Sequence, residues 1–166
     1  GIKSVVFGSG GARKIPEGFP RGKAYEQLVV FLKEYAGPIA AEHGVTIAIE
    51  PLRSTETNVI HKVSEGVELA RRAGLSNVKG LGDIYHMAYE NDSDDEPAKF
   101  KGEIQHTHIS HPVTRHSPKK DDGYDYSVFV KAVIESGCER CSVEGRLVDF
   151  DADAKEALEV LKKAAE

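Results

Sequence analysis

The sequence predicts an α/β chain with parallel strands, in the form of a partial (β/α)8 barrel of about five C-terminal βα units that spans residues 1–166. Short strand-like apolar runs alternate with longer segments at helical spacing, which is the signature of successive βα units. The strand runs are almost continuously apolar rather than alternating, as expected where helices cover one face and a barrel interior the other. Polar residues of ligand type stand just past several of these runs, and in a barrel the carboxyl ends of the strands open onto one cavity.

The first strand is expected at 2–7, followed by the turn Gly8-Ser9-Gly10-Gly11 and a polar loop through Pro20. A helix over 23–43 carries Leu28, Val29, Leu32, Tyr35, Ile39 and Ala40 near helical spacing and ends at Gly44. The second strand, 45–49, leads through a loop to a helix over 60–73 that closes at Gly74. The third strand is 78–83, a short helix starts near His86, and the acidic stretch 91–96 reads as a solvated loop or helix start. The fourth strand, 104–110, enters a long loop with Pro112, Pro118 and Gly123 before a helix over 126–136. A fifth strand at 141–143 and an amphipathic helix over 152–164 follow. A full barrel takes roughly 250 residues, so about three units are missing. Either the chain is a fragment or another polypeptide completes the sheet, and the start directly on a strand favours the fragment. Uncovered strand edges predict a dimer or larger homo-oligomer if the chain stands alone.

With 40% hydrophobic residues among 166, one sizeable core and one domain are the default. The formal net charge of -5 gives no general attraction for a phosphate backbone, so nucleic acid is excluded as an expected partner. No apolar run approaches the roughly 18 residues of a membrane helix, and the first residues do not form a signal peptide. A cytoplasmic protein with no membrane partner is the expectation. Cys138 and Cys141 form a single C-x-x-C. A redox pair or half of a zinc site is the alternative to small hydrophobes beside a buried strand, which is the preferred reading.

Glu50 follows the second strand directly, Asp83 ends the third, His108 lies in the fourth and Glu144 follows the fifth. Three carboxylates converging on one cavity repel one another unless a cation neutralises them. Three oxygen donors with one imidazole suit a hard or borderline divalent ion, Mn²⁺ first, with Mg²⁺, Co²⁺ or Zn²⁺ as alternatives. Taken singly, each carboxylate has a plain structural explanation as a helix N-terminal partner or loop ion pair. Four ligand-type residues at four consecutive strand ends favour the metal.

The stretches Ile49-Glu50-Pro51-Leu52-Arg53, Asp83-Ile84-Tyr85-His86-Met87, His106-Thr107-His108-Ile109-Ser110 and Val143-Glu144-Gly145 resemble the sugar phosphate isomerase/epimerase group of the xylose isomerase-like TIM barrel superfamily. Ketose 3-epimerases and hydroxypyruvate isomerases belong to that group. The resemblance implies a metal-dependent isomerase or epimerase that moves a proton next to the carbonyl of a small sugar or hydroxy-keto acid through an enediolate. It implies Glu50, Asp83, His108 and Glu144 as metal ligands and Glu50 and Glu144 as the acid/base pair. It further matches His86, Arg115 and Glu56 to substrate contacts. Against these stand a helix-capping histidine for His86 and a solvated loop charge for Glu56, while Arg115 lies one residue further along than the pattern places it.

His106 shares a face with His108 and is expected deeper in the barrel as a partner that orients ligands. His111 and His116 read as surface loop residues, and His43 and His61 have no assigned role. The glycine turn at 8–11 lacks the Gly-Lys-Ser/Thr ending of a P-loop, and a tight turn is preferred over a phosphate cradle. Other classes remain: an inosose-type dehydratase, an endonuclease IV-like metal-dependent nuclease, and an inactive barrel fragment.

Overall fold

The computed structural model describes residues 1–166. Strands β1 (Ser4–Phe7), β2 (Thr46–Ile49), β3 (Val78–Asp83), β4 (Ile104–Ile109) and β5 (Cys141–Val143) form one sheet in chain order, every pair parallel. The helices are α1 (Gly10–Arg13), α2 (Arg21–Val30), α3 (Gly37–Glu42), α4 (Val63–Ala73), α5 (Ile84–Tyr89), α6 (Ser127–Glu135) and α7 (Phe150–Ala164). Sequential parallel strands with helical crossovers make a partial barrel, as the alternating pattern predicts.

Helix α4 shows how the layers meet. Val63, Gly66, Val67 and Ala70 recur three and four residues apart on one buried face, and the helix stops at Gly74 with φ 71°. A Cβ on Gly80 of β3 would stand 2.8 Å from the Val67 side chain, so glycine there lets α4 settle on the sheet. The apolar side chains form two clusters where the helices pack on the strands. One gathers Val29, Leu32, Ile47, Ile49, Leu69 and Val78, and the other Val67, Ile84, Met87, Ile104, Ile109 and Phe129. Each fully buried aliphatic or aromatic side chain contributes roughly 1.5–3 kcal/mol.

Several boundaries differ from the expectation. The helix expected over 23–43 begins at Arg21 and runs through a π-helical stretch, Phe31–Ala36, into α3. Pro38 supplies no backbone N–H, and the Gly37 N–H donates to the Leu32 carbonyl five residues back, so the ladder slips by one residue there. Ile60 has φ 60°, which is incompatible with a helix and delays α4 to Val63. Gly10 and Gly11 lie in α1 instead of a plain turn, and a 3₁₀ turn, Glu96–Phe100, follows the acidic stretch. Cys141 is exposed instead of lying in a buried strand, because β5 pairs on one side only, with β4. Cys138 is buried, and both thiols are free. Val5 and Val6 on the opposite edge are likewise exposed. No helix is long and apolar enough to cross a membrane.

Candidate metal centre

The sheet places four polar side chains at one end of four adjacent strands. The Glu50 N–H donates to Phe7 O at 3.2 Å and the Glu144 N–H to Ile109 O at 3.1 Å, each one residue beyond its strand. Asp83 ends β3 and also caps α5, its Oδ1 accepting the Tyr85 N–H at 2.8 Å. Between β3 and β4 the register shifts past Gly80, which pairs Leu81 with His106 and Asp83 with His108. The shift sets both histidines opposite the two inward residues of β3.

His108 Nδ1 lies at the middle of the group, 2.8 Å from Glu50 Oε1, 3.0 Å from Glu144 Oε2 and 3.5 Å from Asp83 Oδ2. One donor atom from each of the four residues lies within 4.8 Å of every other. Glu50, Asp83 and His108 are buried, and Glu144 is about half exposed, at 46%. Burial alone lowers the pKa of His108, but the carboxylates of Asp83, Glu144 and Glu50 more than reverse this and push it up to about 11. In turn His108, aided by Arg115, holds the Glu144 carboxyl down at about 2.

The donor set fits a divalent cation. Asp83 Oδ2 is buried without a hydrogen-bond partner, an arrangement that leaves a desolvated carboxylate oxygen facing the other donors. A single imidazolium offsets one of the three negative charges, whereas a divalent ion offsets two and coordinates all four groups.

Of the remaining expected residues, His86 and Arg115 approach this cluster directly and Glu56 pairs with Arg53. His86 is almost fully buried on α5, with Nε2 3.9 Å from Asp83 Oδ2 and Nδ1 accepting the Arg53 N–H at 3.3 Å. Arg115 contacts Glu144 Oε2 at 3.3 Å and holds φ 55°, a left-handed conformation uncommon outside glycine and asparagine. Backbone bonds fix it there: its N–H donates to His111 O at 2.9 Å, and the Arg146 N–H donates to its carbonyl at 2.7 Å. Glu56 pairs with Arg53 Nε at 2.7 Å instead of standing as a solvated charge. His106 lies 5.2 Å from His108 by ring centroids, on the shared face, and its Nε2 bonds Ser142 Oγ at 2.9 Å.

Two residues received no role from the sequence although they lie inside the matching stretches. Arg53 bonds the Tyr85 hydroxyl, and the guanidinium carbons of Arg53 and Arg115 lie 4.8 and 4.7 Å from the Tyr85 ring centroid. Tyr85 thus ties the loop after β2 to the loop after β4. Its signal was its place two residues after Asp83, on the first turn of α5.

Comparison with known proteins agrees with the partial-barrel fold. A D-psicose 3-epimerase of Agrobacterium fabrum is 32% identical over 65 residues, covering 39% of this chain and 22% of that protein. A solved D-psicose 3-epimerase, determined in the presence of D-fructose, superposes with TM-score 0.80 at 19% identity, covering 98% of this chain and 63% of the other. A 3-keto-D-glucoside 4-epimerase of E. coli gives 0.79 at 18% identity, covering 97% and 64%. The chain thus spans less than two thirds of the length of these relatives. A family model described as xylose isomerase-like TIM barrel matches residues 1–164. The chain belongs to the xylose isomerase-like TIM barrel family.

Proposed function

We propose that the chain carries the metal centre and the acid/base pair of a sugar isomerase or epimerase that moves a proton next to the carbonyl of a small sugar or hydroxy-keto acid. The observation that carries this reading is the meeting of Glu50, Asp83, His108 and Glu144 within 4.8 Å at the strand ends. A divalent ion bound there, Mn²⁺ by our reading, supplies a fixed positive charge for the negative charge that develops beside the carbonyl. Glu50 and Glu144 reach the centre from β2 and β5, with β3 and β4 between them. In this reading one removes a proton and the other returns it, giving epimerisation when the two act on opposite faces and isomerisation when one face is used. Arg115 holds Glu144 as a charged base, and Glu56, His86 and Arg115 bind substrate oxygens. Epimerase relatives support the sugar class.

The test is solvent-proton exchange into small ketoses in D₂O with Mn²⁺ present. Glu144→Gln is expected to lose exchange by about 10²–10⁴-fold while Mn²⁺ stays bound. Undiminished exchange removes Glu144 from the chemistry, and loss of a hydroxyl from the product replaces the epimerase with an inosose-type dehydratase.

A further inference from the structure

The glycine turn after β1 forms no phosphate cradle: its last two glycines start a helix of four residues, too short to present an N-terminal site. Gly8 instead faces Glu50. A Cβ built on Gly8 would overlap Glu50 Oε2 outright, standing 3.1 Å from Glu50 Cδ and 3.3 Å from Val6 Cγ1. Its φ is not positive, so the backbone there accepts any residue and the requirement is for space alone.

Arg13, at the end of α1, is buried at 4% exposure. Its Nη1 donates to Phe7 O at 3.0 Å and its Nη2 to Glu50 O at 2.9 Å, with the guanidinium 5.2 Å from the Phe7 ring centroid. Phe7 O also accepts the Glu50 N–H. One planar fork therefore clamps the last rung between β1 and β2, at the residue whose carboxylate enters the metal centre. A buried guanidinium carries a desolvation penalty that a core residue of equal volume would avoid. Holding the Glu50 backbone in place is what it does in return.

We propose that Gly8 and Arg13 are positioning residues for Glu50: Gly8 leaves empty the volume its carboxylate needs, and Arg13 fixes the backbone from which the carboxylate extends. This rests on the ligand role of Glu50 proposed above.

The test is calorimetric titration of the chain with MnCl₂, alongside thermal unfolding. Gly8→Ala meets side-chain atoms and no backbone, chiefly the Glu50 carboxylate, so its melting temperature is expected within about 2 °C of the parent. Mn²⁺ affinity is expected to fall about 10–100-fold, the range typical for residues that orient ligands. In the Glu50→Ala background the same Gly8→Ala change is expected to have no further effect. Arg13→Met is expected to weaken Mn²⁺ binding and Arg13→Lys to restore part of it. Unchanged affinity in Gly8→Ala, or an equal fall in the Glu50→Ala background, overturns the positioning role while leaving the metal centre intact. Full Mn²⁺ affinity in Glu50→Ala is a different failure: it removes Glu50 from the centre and takes both ideas with it.

Discussion

Loading the centre with Mn²⁺ is expected to release about one proton per ion from His108. With its pKa pushed up to about 11, His108 is an imidazolium at neutral pH in the metal-free chain, and a coordinating Nδ1 must first lose its proton. Glu144, held at about 2, is already ionised and contributes none. Below pH 11 the metal-competent fraction of His108 rises tenfold per pH unit, so Mn²⁺ affinity gains about a hundredfold from pH 6 to pH 8. Titration calorimetry in two buffers of different ionisation enthalpy reads the proton count directly. A count near zero, with affinity flat over that range, refutes the picture of three carboxylates holding one imidazolium. The sign for folding runs the other way. A raised histidine pKa stabilises the metal-free fold fully below about 6.5, and that stability is lost as pH rises through about 11. The metal-free melting temperature therefore falls from pH 7 to pH 10, and His108→Gln flattens that fall.

Two further outcomes separate the cluster from its scaffold. Asp83→Asn keeps an acceptor for the Tyr85 N–H but removes the unpaired buried charge. It is expected to weaken Mn²⁺ binding at least about tenfold with little loss of stability, whereas Asp83→Ala loses a further ~1 kcal/mol with the cap. Equal melting temperatures for the two variants count against the cap. Phe129→Ala empties a fully buried site between α6 and the sheet and is expected to cost about 3–5 kcal/mol in urea unfolding. A loss under ~1 kcal/mol contradicts the assigned core.

The alternation of apolar runs carried the five parallel strands, because periodicity reports which faces are covered. Positions of ligand-type residues at strand ends carried the four-residue cluster for the same reason: parallel strands deliver their last residues to one side. Helix edges were less legible. The slip at Pro38 and the late start of α4 after Ile60 depend on backbone details that local composition records weakly. Exposure of Cys141 depends on which strand lies at the edge, a matter of order in the sheet and not of the residues themselves.

Sequence by itself determined the βα architecture and pointed to Glu50, Asp83, His108 and Glu144 as candidates, since strand periodicity and the recurrence of ligand-type residues at successive strand ends are both written along the chain. Only the tertiary structure decided that these donors meet around His108 Nδ1 and that Tyr85 gathers Arg53 and Arg115. It alone shows that Gly8 leaves room for the Glu50 carboxylate and that Arg13, from α1, bonds the Glu50 carbonyl. Those contacts join residues tens of positions apart, and their distances are set by strand register and twist, which local chain chemistry does not encode.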